Sequence, residues 1–403
     1  MSTIRLADIM TSGYDAFCQQ YGNMAGNDKV VRAITSCRTD LLGGHQYECP
    51  DCHAQVALYN SCGNRHCPQC QALARGDWVE ARKNELLPVP YFHVVFTIPS
   101  ELNPFVLRNK KSLYAIMFRS VNETMQQLGA TSKFLGASIG FVAVLHSWGQ
   151  NLMDHPHIHC IVPAGGISRD GKRWIACRSL FLFPFDVMKT LFRAKVLDYF
   201  KRGLEDGSIS LCGTLAEYED KSKLNALLRK LYKVKWVIFA NQPFAGPARV
   251  VEYLGNYTHR VAISESRIIS HDVSASTVSF VYKDYTDNCK QKIMTLSRVE
   301  FIRRFLLHVL PSGFMRIRHY GFLSNSSRKK GLQRCAGIFA SLKKKLIAGT
   351  PAAEKVKQPW HLRILERTGF NPLLCRQCGK AVMVLVGEIA RVTIRISPGI
   401  VSS

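Results

Sequence analysis

Between Cys37 and Cys70 the chain reads CRTDLLGGHQYECPDCHAQVALYNSCGNRHCPQC, and no other feature limits its folding as strongly as these cysteines. Cys49-x-x-Cys52 and Cys67-x-x-Cys70 are separated by fourteen residues. Two such knuckles close a tetrahedral thiolate site in the manner of a zinc ribbon. The spacing predicts that Cys49, Cys52, Cys67 and Cys70 hold one structural Zn²⁺. The same stretch offers Cys37, His45, Cys62 and His66 for a second ion, although both histidines would serve equally as polar surface residues. His53 and Cys18 are left without a metal role. A domain this small uses the metal in place of a large apolar core. After Cys70, the run QALARGDWVEARKNELLPVP reads as a helix stopped by Pro88 and Pro90, which sets a zinc-binding domain over residues 1–88.

Charge narrows the partner. Lys and Arg outnumber Asp and Glu by 54 to 29 in 403 residues, a formal charge of +25. Such an excess suits a polyanion, because each phosphate neutralised releases condensed counterions. No run is apolar enough to span a bilayer and the start resembles no secretory leader, so the expectation is a cytoplasmic protein without a membrane partner. Cysteines in that compartment are metal ligands or buried thiols sooner than disulfides.

The middle of the chain alternates strand and helix signals. YFHVVFTIP is a buried strand bounded by prolines, and residues 103–129 carry apolar residues at helical intervals. IGFVAVLHSWG and HPHIHCIVPAGG are two further strands, followed by helical patterns over 185–202 and 215–232. KVKWVIFANQP reads as a strand, ARVVEYLGNYTHRVA as a helix, and two short strands follow near 266–270 and 277–282. This mixture predicts an α+β domain on an antiparallel sheet, over residues 89–290.

Residues two apart in a strand share a face, so His157 and His159 point the same way. If the loop SWGQNLMD makes a symmetric hairpin centred between Asn151 and Leu152, residues pair when their numbers sum to 303. His146 then lies opposite His157 and diagonal to His159, close enough for three imidazoles to meet one ion. Three ligands leave coordination positions open, as a catalytic metal requires. Satisfied histidines on a polar sheet face would explain one His-x-His pair; the third histidine in register favours metal. His155 shares their parity but precedes Pro156 and is left out. Tyr253 and Tyr257 are four apart and share one helical face, an arrangement that core packing also produces. Phenols are costly to bury without a partner, and a phenol with a pKa of about 10 is a poor nucleophile until something lowers that value.

At this point the residues resemble a known family. His157-Ile158-His159 resembles the His-hydrophobic-His motif of HUH single-strand endonucleases. Tyr253-Leu-Gly-Asn-Tyr257 resembles the two-tyrosine helix of rolling-circle transposases of the IS ninety-one group of insertion sequences. SCGNRHCPQCQ, LLPVPYFHVVFTIP, HPHIHCIVPAGG, YLGNYTHRVAIS and GFMRIRHYGFLSN resemble the group's signatures, in its order, over residues 35–325. The chain departs from the pattern at Gly255-Asn256, where the second residue would be basic. The resemblance implies an HUH-endonuclease sheet with flanking helices behind the zinc domain. It further implies Mg²⁺ or Mn²⁺ on His157 and His159 with a third ligand, which the hairpin register assigns to His146. Tyr253 and Tyr257 would be nucleophiles that form 5′-phosphotyrosine links with single-stranded DNA at the element's ends before transfer to target DNA. Other readings are a plasmid or phage rolling-circle replication initiator, or a zinc-finger DNA-binding protein without catalysis.

From Arg298 to Lys345 there are twelve Lys or Arg and one acid, Glu300. FMRIRHYGF interleaves cations with aromatics, as a surface that tracks a backbone and stacks bases would. Residues 291–403 are therefore expected to form a basic DNA-binding region, with Arg316, Arg318, His319, Arg328, Lys329 and Lys330 as contacts beside Arg260. Cys375 and Cys378 form half a knuckle; Cys335 or His361 could complete it, but two unpaired cysteines are the expectation.

Overall fold

Four of the runs that predict strands, the first at residues 91–97 and the others within 140–148, 154–163 and 237–244, lie in one antiparallel sheet, and the helical runs within 103–130 and 185–205 pack against it. The structure is a computed structural model that describes residues 4–23, 25–83, 85–177, 182–244, 255, 261–285, 287–341 and 359–392. In chain order it begins with α1 (Leu6–Tyr21), α2 (Ala25–Thr35), β1 (Gly44–Glu48), β2 (Gln55–Tyr59) and α3 (Pro68–Lys83). There follow β3 (Tyr91–Thr97), α4 (Asn103–Arg108), α5 (Lys110–Ala130), β4 (Ala137–Ser138), β5 (Gly140–Trp148) and β6 (Asp154–Pro163). Next come β7 (Gly165–Ser168), β8 (Trp174–Ala176), α6 (Phe185–Glu205), α7 (Lys221–Lys233) and β9 (Val237–Phe244). The last elements are β10 (Ile268–Asp272), β11 (Thr277–Asp284), β12 (Lys290–Ser297), α8 (Arg298–Leu306), β13 (Ile317–Gly321), α9 (Arg328–Ser341), α10 (Trp360–Thr368) and β14 (Val384–Ile389).

The central sheet has the order β13-β5-β6-β3-β9, with each neighbouring pair antiparallel. Alternation along the strands separates two faces. Phe92, Val94, Phe96, Phe141, Ala143, Leu145, Ile158 and Val162 enter the main core. There α5 supplies Tyr114, Phe118, Val121 and Met125, and α6 supplies Phe192, Val196 and Phe200, at the helical spacing of three or four. Each fully buried large apolar side chain contributes roughly 1.5–3 kcal/mol, so this face anchors the sheet. His93, His146, His157 and His159 belong to the other face. The class is α+β, as expected.

Some boundaries differ for local reasons. The single helix expected over 103–129 breaks at Asn109, whose side chain bonds both Ser210 N and Ser210 O, at 2.8 and 3.0 Å. Helix α7 starts late because Asp220 caps it, accepting from Ser222 N and Lys223 N. The two short strands are joined by a third, β12, in a separate antiparallel sheet. Its alternately exposed residues lack the apolar content that marks a strand in sequence.

The chain divides into two units, residues 72–348 and a second made of 1–71 with 349–403. This differs from the three successive segments expected with boundaries at 88 and 290. The cause is β14, which pairs with β1 from Gly44↔Ile389 to Glu48↔Val384 and gives a sheet of order β14-β1-β2. Gly43 allows that approach, and Gly44 allows the approach of β2 from the other side. A Cβ on Gly43, at φ +64, would meet Ile389 O at 2.5 Å, and one on Gly44 would meet Leu58 O at 2.5 Å. Among the described residues no helix is long and apolar enough to cross a membrane.

Candidate metal centres

Strands β5 and β6 pair as Val144↔His159, Leu145↔Ile158 and His146↔His157, the register in which numbers sum to 303. The register slips only beyond His146, where Trp148 meets Asp154. One ligand atom from each of His146, His157 and His159 lies within 4.8 Å of the others, while His155 is outside the group and exposed. Ring centroids are 5.5 Å apart for His146 and His157, 4.6 Å for His146 and His159, and 4.7 Å for His157 and His159. The Nδ1 of His157 lies 2.6 Å from its acceptor, the His155 carbonyl, so Nδ1 carries the proton and Nε2 would be the ligand. Neutral imidazoles so directed fit a divalent ion with open positions.

His93 of β3, which sequence reasoning passed over, supports this group. Its Nε2 lies 2.8 Å from His159 Nδ1, with the rings stacked at 5.1 Å. Burial holds His93 down to about 4, so it is neutral and can accept a proton donated by His159 Nδ1. That bond would fix the ligand tautomer of His159. The hairpin turn is held as firmly. Arg267 donates to Gln150 O, Arg304 to Asn151 O at 3.1 Å and His308 Nε2 to Leu152 O at 3.0 Å. Three successive carbonyls are thereby tied, across a Leu152 at φ +62. Burial also keeps His308 neutral, at about 4, and its Nδ1 accepts from Ser147 Oγ. None of these partners forms a motif with the histidines; only the tertiary fold unites them.

On the opposite face of β6, Asp154 is pushed up to about 7 by burial, partly opposed by Lys110. Lys110 is turned toward the carbonyls of Leu307 and Val309, at 2.8 and 3.1 Å. Asp154 is no member of the histidine group.

The thiols pair differently from the sequence expectation. Cys37, Cys62, Cys67 and Cys70 form one group, and Cys49, Cys52, Cys375 and Cys378 another. The ribbon predicted from Cys49, Cys52, Cys67 and Cys70 does not form, and His45 and His66 join neither group. The reason is the β1–β2 hairpin. Cys49 and Cys52 lie in its turn, closed by Cys49 N to Ala54 O at 2.9 Å, whereas Cys37 and Cys62 flank its open end. Strands of five residues at about 3.3 Å each put roughly 16 Å between those ends. At the open end, Cys67 precedes α3 and Cys70 sits in its first turn; they take the places expected for the histidines. Sulfur separations there are 3.6 Å for Cys37 and Cys70 and 3.5 Å for Cys62 and Cys70. A zinc tetrahedron with Zn–S near 2.3 Å has edges of about 3.8 Å, and a disulfide would bring sulfurs to about 2.05 Å. These thiols fit the ion.

The remaining predicted residues divide. Tyr253, Tyr257 and Arg260 lie outside the described residues. Gly255 between the tyrosines is helical and buried, and a Cβ there would meet Val79 Cγ2 at 2.5 Å, so the position demands a small residue. Arg316 is buried, and Arg318 lies over the Phe118 ring at 4.2 Å on the core side of β13. His319 is held down to about 4, chiefly by burial and further by Arg82 and Arg328, and is uncharged at neutral pH. FMRIRHYGF supplies β13, so Arg318 and His319 sit on an edge strand of the central sheet. Arg328 approaches Glu85 at 3.6 Å, while Lys329 and Lys330 are exposed at the start of α9.

Known proteins resemble two segments of the chain. Residues 9–98 match the family model described as "Transposase zinc-binding domain", and residues 140–330 match one described as "Putative transposase". The second match begins at β5 and contains the whole histidine hairpin. A Sinorhizobium fredii (strain NBRC 101917 / NGR234) protein called "Putative transposase y4qJ" is 42% identical over 94% of this chain and 94% of its own length. The chain belongs to the IS ninety-one family of transposases. The transposase for insertion sequence element IS801 of Pseudomonas savastanoi pv. phaseolicola is 28% identical over 91% of this chain and 85% of its own length. No solved structure matches.

Proposed function

We propose that this transposase acts in the rolling-circle manner, cutting and rejoining single strands of DNA through tyrosine. His146, His157 and His159 would hold Mg²⁺ or Mn²⁺ in the site. The observation that carries the reading is the convergence of those three imidazoles across one hairpin. When bound, the ion supplies Lewis acidity to an oxygen of the scissile phosphate.

The chain's own residues do the rest. The hydroxyl of Tyr253 or Tyr257 attacks phosphorus, forming the tyrosine–phosphate bond as the bond to the 3′ oxygen breaks. The tyrosine loses its proton and the leaving oxygen gains one, which gives a 5′-phosphotyrosine and a 3′-hydroxyl. The phosphodiester energy is conserved in that link, so rejoining requires no ATP. Two tyrosines four residues apart permit a second cleavage while the first strand is still held. The +25 charge favours DNA at the element's ends and at the target, with Lys329, Lys330 and Arg260 as contacts. Zinc on Cys37, Cys62, Cys67 and Cys70 would take the place of a core in the amino-terminal domain.

Single-stranded oligonucleotides carrying the element's ends, incubated with the protein and Mn²⁺, should yield an adduct that survives denaturation. Tyr253→Phe/Tyr257→Phe should bind the oligonucleotide and form none. An undiminished adduct from that double variant would exclude Tyr253 and Tyr257 as the nucleophiles, and with them this reading.

A further inference from the structure

Cys375 and Cys378 lie far outside the family's zinc-binding segment at residues 9–98, yet they meet Cys49 and Cys52. Sulfur separations are 3.6 Å for Cys49 and Cys378 and 3.6 Å for Cys52 and Cys375. These are tetrahedral edges and not disulfide lengths. All four thiols are free, with Cys49 and Cys375 buried.

The two knuckles are built alike. In the first, His53 N donates to Cys49 O at 3.0 Å and Cys49 N to Ala54 O at 2.9 Å. In the second, Gly379 N donates to Cys375 O at 2.9 Å and Cys375 N to Ala381 O at 2.9 Å. The residue after the second cysteine turns left-handed in both, His53 at φ +56 and Gly379 at φ +68. Such a turn aims two sulfurs in one direction and brings backbone N–H groups toward them, as a thiolate site requires. Among the described residues, the surrounding apolar cluster buries only Tyr47, Leu373 and Met383 besides Cys49 and Cys375. So small a core needs another source of cohesion.

We propose that Cys49, Cys52, Cys375 and Cys378 form a second structural zinc site, which staples the carboxy-terminal segment to β1. The site closes a loop over more than 320 residues, since Cys52 and Cys375 are 323 apart. It makes the amino-terminal domain depend on both ends of the chain, with β14 completing its sheet. Cys18, Cys160, Cys177, Cys212, Cys289 and Cys335 have no part in either zinc group.

The full-length protein should contain two zinc ions per chain by elemental analysis, and Cys375→Ser/Cys378→Ser should contain one. Alkylation of the wild-type protein under reducing conditions gives a reading that survives any misfolding of that variant. Cys375 and Cys378 should react at least about tenfold more slowly than the exposed Cys289, and zinc chelation should release them together with Cys49 and Cys52. Two zinc ions retained in the double variant, or Cys375 and Cys378 alkylated as fast as Cys289 in the zinc-loaded protein, would overturn the proposal. Neither readout depends on DNA cleavage, so failure here would leave the proposed tyrosine chemistry untouched.

Discussion

The histidine group and the thiol groups draw on opposite resources of the chain. His146, His157 and His159 lie on one hairpin, and pairing geometry places them. The thiol groups join residues up to 33 apart in one case and up to 329 apart in the other. A hairpin fixes its own register through alternation, so every side chain on it has a calculable neighbour. A group closed by distant segments has no such rule, and identical Cys-x-x-Cys spacing suits several partitions. Local order therefore positions the histidine group, while long-range closure builds the amino-terminal domain.

That contrast can be broken first at the thiols, where the expected effect is largest. Cys70→Ser removes a ligand whose neighbours have little core to fall back on, so metal-linked folding should fail. Circular dichroism and zinc analysis should report loss of one ion and of the amino-terminal domain's folded signal. His66→Ala should change neither. The reverse pattern would restore the histidine-containing site that the sequence first suggested.

His93 sharpens the other side. Removing its bond to His159 leaves the hairpin intact but frees the ligand's tautomer, so His93→Ala should weaken Mn²⁺ binding about 10–100-fold. His93→Gln, which keeps an acceptor, should recover part of it. Isothermal titration separates these outcomes from loss of fold. An unchanged affinity in His93→Ala would mean that His93 is only packing.

The smallest effect concerns Asp154, which shares β6 with the histidines but faces the core side. Its folded pKa near 7 lies above the ordinary 3.8, so the folded state holds the proton more tightly. Stability is then greatest below pH 4, falls as pH rises toward 7, and levels off above it. Asp154→Asn should flatten this profile and stabilise the protein at pH 8 by about 2 kcal/mol, measured by denaturant unfolding. A profile of the same slope in the variant would place the titration elsewhere.

What was legible in sequence follows the same division. Strands β3, β5, β6 and β9 announce themselves by β-branched and aromatic content, and the pairing of His146 with His157 follows from loop symmetry alone. The return of β14 to β1 does not, because VLVGEI carries no mark of its partner. FMRIRHYGF was ambiguous, because cations beside aromatics describe a nucleic-acid surface and also an edge strand with Arg318 lying over Phe118. His93, Arg267, Arg304 and His308 were hidden for a plainer reason. Each supports the hairpin from another element, and a supporting hydrogen bond leaves no spacing to read.

Mn²⁺ binding by His146→Ala and His155→Ala, measured side by side in the full-length protein, addresses the hairpin most directly. His146 and His155 are both near His157, but only His146 has the cross-strand register that joins it to His157 and His159. Loss of binding in His146→Ala with near-normal binding in His155→Ala is the expected result. Normal binding in His146→Ala, with loss in His155→Ala, would contradict the hairpin as the source of the metal centre.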